Sequence, residues 1–358
     1  MFKQLDLDAI GTALGKWIEA KFPAYAQATV SQLRTPSAGL SSDTVLFELC
    51  LRENGRPRSR KLVLRMAPTE DFVFPEYDIS GQFHILQRLA ESALPVPAVC
   101  WLEEDATPLG APFYVMEAVD GEAPSDVPPY HGAGLCADAS PDQRAAMWWD
   151  GVRILASIHD LDWRSLDLPF LGAPADAAAA LAAQLDYWER YIAWARTEEP
   201  QPHIDAALRW LLDNPPASGR TGLCWGDARL PNMLFRDFKV TAVLDWEMAF
   251  LGDPEADLAW WLFLDWHHSD GYDIPRLEGI PGRAETIARY QELRGEKVEN
   301  LFFYDVFAAL RFAAIMIRAV ENMKKRGVPL PTPDFGSNNA CTRRLAQLLE
   351  LPPPGTAT

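Results

Sequence analysis

Asp227 and Asn232 stand five positions apart in the segment Cys224-Trp225-Gly226-Asp227-Ala228-Arg229-Leu230-Pro231-Asn232-Met233-Leu234-Phe235. A second carboxylate, Asp245, closes the apolar run that leads into Val243-Leu244-Asp245-Trp246-Glu247. Phosphoryl transfer asks for little else from a protein. It needs a carboxylate beside the attacking hydroxyl and hard oxygen ligands for a magnesium ion bridging the phosphates. A D-x-x-x-x-N spacing alone also fits a capped turn that satisfies its own backbone. An apolar strand ending in a further aspartate at this distance makes the set far more specific.

Those groups need rigid supports, and the surrounding pattern supplies them. Leu7, Ile10, Leu14, Trp17 and Ile18 recur at helical spacing over residues 6–22, up to Pro23. Thr44 to Leu49 and Lys61 to Met66 are short β-rich runs separated by the turn-like Glu53-Asn54-Gly55-Arg56-Pro57. A helix follows around Phe83, Leu86 and Leu89, and then two more strands about Pro112-Phe113-Tyr114-Val115-Met116-Glu117. Beyond that, helices dominate. Ser140-Pro141 caps one that runs to His159, alanine-rich 175–196 and 203–213 are others, and helices resume at Pro254. Only 221–251 breaks the helical texture, with two β-like pieces around the polar loop. The class is α+β: a small sheet-rich lobe, then a larger helical lobe holding a polar insert.

The loop resembles the H-G-D-x-x-x-x-N and I-D-[WF]-E motifs of the aminoglycoside phosphotransferase/choline kinase superfamily, which has a two-lobed protein-kinase-like fold. The nearest likeness is to the kinase-like domains attached to some acyl-CoA dehydrogenases, which share the run Leu-Gly-Asp-Pro-Glu-Ala-Asp-Leu-Ala found at 251–259. Likeness extends from about residue 30 to about 320 and takes in Phe113 to Glu117, Ala156 to Asp162, Gly279-Ile280-Pro281 and Tyr290 to Leu293. It implies an ATP- and magnesium-dependent kinase of a small-molecule hydroxyl. Asp227 would be the catalytic carboxylate, Asn232 and Asp245 would hold magnesium, and Arg229 would stabilise the transferring charge. In the small lobe Arg65 would contact the phosphates, Ser37 to Asp43 would cover them, and the backbone at Glu117 and Val119 would receive adenine. Two positions depart from the family pattern. Trp225 stands where the family places histidine, and Gln82 stands for the helix glutamate that pairs with the strand cation, leaving Glu76 as the other candidate acid. Lobe boundaries are expected at 1–117 and 118–350, with a disordered tail at 351–358.

Bulk properties narrow the partners. The 358 residues carry 33 basic and 50 acidic side chains, a net charge of −17, which disfavours nucleic acid. Five scattered cysteines without a CxxC pair indicate reduced thiols. The N-terminus lacks the uninterrupted apolar stretch of a signal peptide, and no apolar run approaches the roughly 20 residues that span a bilayer. The longest, Val306 to Ile317, is broken by Arg311. A soluble cytoplasmic enzyme is expected. Thirteen tryptophans favour an aromatic or hydroxyacyl acceptor, whereas the acidic C-terminal lobe would suit an aminoglycoside. A nucleotide-binding scaffold without catalysis is the reading from another class. Asp253 and Asp257 read as helix-start scaffold, His159 as a structural histidine, and His267-His268 as a solvated helix end.

Overall fold

The computed structural model describes residues 5–22, 28–36, 43–53 and 56–355. The chain forms two compact units, 1–120 and 121–358. The expected phosphate-covering stretch lies, from Ser37 to Ser42, outside the described residues, as do Asn54 and Gly55 of the turn.

The first unit runs α1 (Leu7–Lys21), β1 (Thr29–Arg34), β2 (Asp43–Glu53), β3 (Arg56–Met66), α2 (Ile79–Leu89), β4 (Val99–Glu103) and β5 (Phe113–Glu117). Its strands make one antiparallel sheet in the order β1-β2-β3-β5-β4. The period of two divides β3 cleanly. Leu62, Leu64 and Met66 join Leu14, Trp17 and Ile18 of α1 in the core, so Lys61, Val63 and Arg65 take the other face. Burying such aliphatic side chains stabilises by about 1.5–3 kcal/mol each. β1 was not expected from the sequence. It is an edge strand whose register shifts between Ser31 and Arg34, with Gln32 in the left-handed region, so it lacks regular alternation.

The second unit is mostly helical: α3 (Leu135–Asp138), α4 (Pro141–His159), α5 (Ala177–Ala195), α6 (Pro202–Asp213), α7 (Glu255–His268), α8 (Arg283–Arg294), α9 (Leu301–Lys325) and α10 (Ala340–Leu348). Ser140 and Gln143 close a capping box on α4, as Ser-Pro at its start implied. The polar insert contains four short strands where two were expected: β6 (Gly222–Cys224), β7 (Met233–Arg236), β8 (Lys239–Val243) and β9 (Phe250–Gly252). They pair as β6-β9 and β7-β8. Strands of three residues carry too little pattern to register as separate elements. α7 is buried along almost its whole length, including Glu255, Asp257 and Asp265. A helix buried all round belongs to a core, and its acids must find partners there. α4 packs against it at Gly151, where a Cβ would lie 2.6 Å from the Trp261 ring. Among the described residues no helix is long and apolar enough to cross a membrane.

Candidate active site

The loop after β6 is held from below before it does anything above. Asp257, wholly buried on the first turn of α7, accepts the backbone N–H of Trp225 at 2.6 Å and of Gly226 at 2.9 Å. His159, at the end of α4, lies 3.2 Å from the same carboxylate and 2.6 Å from the Tyr290 hydroxyl. Asp257 and His159 are therefore the scaffold that the sequence suggested. Cys224 completes a cluster of three potential metal ligands with them, but its thiol faces the Asp253 carbonyl and the other two are already hydrogen-bonded. Gly226 has φ +87°, and a Cβ there would fall 1.9 Å from the Met248 carbonyl oxygen, so only glycine fits. Trp225, in the place of the family histidine, is fully buried and donates its indole N–H to the Leu244 carbonyl at 2.8 Å. It fastens the loop to the segment that carries Asp245.

Asp227 follows with its side chain 13% exposed. Trp260 donates to Oδ1 at 2.8 Å, while Arg229 Nε and Asn232 Nδ2 donate to Oδ2 at 3.0 and 2.7 Å. A carboxylate offers about four lone-pair sites, so one remains for an incoming hydroxyl. The Asn232 amide nitrogen also donates to the Asp227 carbonyl at 3.1 Å. With both its bonds on Asp227, that nitrogen is fixed inward and Oδ1 is left as the oxygen a hard cation would take. The Leu244 N–H donates to the Asn232 carbonyl at 2.8 Å, which sets the neighbouring Asp245 beside Asn232. Asp245 itself has φ +62°, a conformation that aspartate tolerates better than most residues. An amide oxygen and a carboxylate on adjoining backbone segments fit the donor chemistry of magnesium.

Arg229 is held between two acids. Its Nη1 donates to Asp126 Oδ1 at 2.6 Å, opposite the Nε bond to Asp227. Burial alone would raise the Asp126 pKa. Arg229 and His268 outweigh it and hold the carboxyl well below the usual range. Burial likewise works against the Arg229 charge, but Asp126 and Asp227 push its pKa up instead. His268 corrects an expectation. It is buried at the end of α7, not solvated, with Nε2 2.9 Å from Asp126 Oδ1 and Nδ1 2.8 Å from the Leu264 carbonyl. His267 is buried too, among Phe263, Phe312 and Tyr272, and burial, with the neighbouring His268 charge next, pulls its pKa down to about 3. The residues missed from sequence are thus Asp126 and His268, together with Arg311. Arg311 Nη2 donates to the Gly226 carbonyl at 2.7 Å inside a cage of aromatic rings. Burial lowers its pKa to about 10, against the pull of Asp257 and Asp227, so it remains cationic at neutral pH.

The first unit holds the other predicted residues. Arg65 on β3 is registered between Thr44 and Tyr114, and Tyr114 packs edge-on against Phe83 of α2 at 6.3 Å. Arg65 therefore lies on the sheet face that α2 covers, the helix on which Gln82 is buried. Glu76 is exposed ahead of that helix. The Glu117 side chain pairs with Arg60, and its N–H donates to the Ala98 carbonyl at 2.8 Å. Val119 follows two residues later, half-buried.

The model of the phosphotransferase enzyme family, APH, matches residues 32–297. The chain belongs to that family. Among curated proteins, this phosphotransferase-family chain is 33% identical over 272 residues to acyl-CoA dehydrogenase family member 10 of Mus musculus, covering 73% of the chain and 24% of the relative. It is 32% identical over 263 residues to acyl-CoA dehydrogenase family member 11 of Mus musculus, covering 71% of the chain and 32% of the relative. The chain spans about a quarter to a third of the length of these relatives. Among solved structures, a Ralstonia eutropha protein assigned by name to the aminoglycoside phosphotransferases superposes with a TM-score of 0.69 at 24% identity, over 95% of this chain and 98% of that one. A thermostable mutant of aminoglycoside phosphotransferase APH(4)-Ia, in a ternary complex with ADP and hygromycin B, gives 0.52 at 19% identity, over 97% of this chain and 100% of that one. The fold is the two-lobed protein-kinase-like one, with an antiparallel-sheet N-terminal region and a helical C-terminal region.

Proposed function

We propose that this phosphotransferase moves the γ-phosphoryl group of ATP, with magnesium, onto a hydroxyl of a small molecule. One observation carries the reading: Asp227 is gripped by three side-chain donors yet keeps an open lone pair, beside an amide and a carboxylate suited to a hard cation. A loose transition state needs position more than strong basicity, and this loop supplies position. Asp227 orients the acceptor hydroxyl and takes its proton. Asn232 Oδ1 and Asp245 would hold a magnesium ion, which would supply charge neutralisation for the phosphates. Arg65 is assigned to the phosphates, and the Glu117 carbonyl and Val119 N–H to adenine. Arg229 keeps only its remaining N–H groups for the transferring phosphoryl. Its charge is offset by two acids, so its electrostatic share is smaller than that of a lone arginine, and its main work is to brace Asp227.

For the acceptor, the relatives named as acyl-CoA dehydrogenase family members favour a hydroxyacyl body. The tryptophan count lends no support. Trp148, Trp225, Trp260 and Trp261 are all buried in the second unit's core. The test is ADP release with magnesium and ATP across hydroxyacyl-CoAs, phenols, aminoglycosides and choline-like amines. Acceptor-dependent release is expected. Magnesium-ATP should raise the melting temperature, and Asn232→Ala or Asp245→Ala should weaken metal affinity by about 10–100-fold, the usual scale for a damaged ligand shell. Equal ATP-induced shifts in all three proteins would remove the magnesium assignment.

A further inference from the structure

Arg311 has no evident reason to be where it is. It sits mid-way along α9, only 1% exposed, as the one charge in the apolar run Val306 to Ile317. Among the described residues its guanidinium makes a single hydrogen bond, to the Gly226 carbonyl, and its Nε and Nη1 have no hydrogen-bond partner. Aromatic faces hold it instead. Trp260 lies 4.4 Å from the guanidinium carbon, with Trp188, Phe250 and Phe307 at 5.3–5.5 Å. Burying a cation costs more than a well-packed apolar side chain of similar volume, so stability alone would favour methionine here.

What the cation touches explains it. Gly226 directly precedes Asp227, and Trp260 is the residue whose indole N–H donates to Asp227 Oδ1 at 2.8 Å. We propose that Arg311 is a positioning residue for phosphoryl transfer, setting Asp227 through its backbone at Gly226 and through its side-chain partner Trp260. Resting on the phosphotransferase reading above, this assigns that reaction a residue that meets neither substrate nor metal. The cation fixes the plane of the indole it lies over, and draws electron density from that ring, which sharpens the N–H as a donor. Both lone pairs of Asp227 Oδ2 are taken by Arg229 and Asn232, so the open one is on Oδ1, and the Trp260 bond fixes the direction in which Oδ1 offers it to the acceptor. Direction matters to a hydroxyl attacking in line, and a small misplacement of the group that orients it lowers turnover without touching nucleotide affinity.

The test compares Arg311→Met and Arg311→Lys with the wild type. The thirteen indole N–H groups are observed by nitrogen-15 NMR, with Trp260 assigned by its loss in Trp260→Phe. In Arg311→Met the Trp260 signal should shift and exchange faster with water. On the best acceptor, kcat should fall by about 10–100-fold while KM for ATP stays within about threefold, the split that marks an interaction used in the transition state. The melting temperature should stay within about 5 °C of wild type, because the lost desolvation penalty offsets the lost contacts. Arg311→Lys, which keeps the charge over the ring, should recover most of the rate and the Trp260 signal. If Arg311→Met leaves both signal and kcat unchanged, or if kcat, ATP affinity and melting temperature fall together and lysine rescues none of them, Arg311 only fills the core and the proposal is wrong. Wild-type protein that releases no ADP with any acceptor would overturn the phosphotransferase reading. In that case the Trp260 signal alone decides whether Arg311 sets the partner of Asp227. If Arg311→Met does not fold, the lysine variant carries the comparison with the same readouts.

Discussion

The two units use carboxylates in opposite ways. In the first, Glu103 ends β4 and receives Trp17 Nε1 at 2.7 Å and Lys21 Nζ at 2.6 Å, both from α1, with the Asp105 N–H at 3.2 Å on its other oxygen. All its partners come from its own unit, and they tie a helix to a sheet. In the second unit the work is divided between two aspartates on either side of one loop. Asp257, below, accepts two backbone amides and faces a histidine, and it is wholly buried. Asp227, above, is gripped by side chains and keeps one face open. The number of bonds does not separate the two aspartates, since each has three partners; access does, because Asp257 is enclosed whereas the Asp227 side chain is 13% exposed.

The sharpest way to break that division is to swap the charge for an isostere on the open side. Asp227→Asn should leave magnesium-ATP affinity within about threefold and lower phosphoryl transfer by roughly 10²–10⁴-fold, the usual contribution of a positioned acid–base group. ADP release on the best acceptor, beside ATP-induced melting shifts, measures both. A variant that keeps more than about a tenth of the wild-type rate would move the catalytic carboxylate elsewhere.

Below the loop the expected effect lies in stability. Asp257→Ala strands the Trp225 and Gly226 amides and removes a partner of His159, all buried, so denaturant unfolding should show a loss of about 2–5 kcal/mol. If Asp257→Ala instead unfolds like wild type and loses only turnover, the buried aspartate is not scaffold and the contrast with Asp227 collapses.

How far this contrast could be read from the sequence depended on how local each signal was. Asp227, Asn232 and Asp245 share one short stretch, and the Asx spacing and apolar strand that place them are written side by side. The five-stranded sheet was legible at β2, β3 and β5, where alternation is regular, and not at β1, where a register shift breaks it. The supporting residues are remote in sequence. Asp126 lies 103 positions from Arg229 in a proline-rich loop without pattern, and His268 lies 142 positions from Asp126. Arg311 was visible only as an interruption of an apolar run, although a lone charge in such a run must find compensation somewhere. Trp260 shows why residue type alone misleads. It is core by burial and also the donor that fixes Asp227. Nothing in an amino-acid string separates those two roles, because both depend on which way one indole N–H points.

The smallest effect concerns the architectural carboxylate of the first unit and can be read from pH alone. Lys21 first, and Trp17 next, hold the Glu103 pKa down from 4.5 to about 2. A depressed carboxylate binds fewer protons folded than unfolded. Its contribution is therefore fully present above the unfolded value near 4.5 and is lost as pH falls toward the folded value. Lys21 is half exposed, and water screens the pair, so the contribution is about 1 kcal/mol. Comparing wild type with Glu103→Gln removes the background from all other acids. The melting-temperature gap between them should be constant from about pH 7 to 5 and should close between about pH 4.5 and 2. A gap that stays open at pH 2 would mean that packing, not charge, is what Glu103 contributes. A gap that widens on acidification would reverse the sign and show that the carboxyl is held protonated, contrary to its place between an ammonium and an indole N–H. Phosphoryl transfer at neutral pH should be nearly unchanged in Glu103→Gln, since Glu103 ties α1 to the sheet and has no part in the proposed nucleotide, metal or acceptor sites.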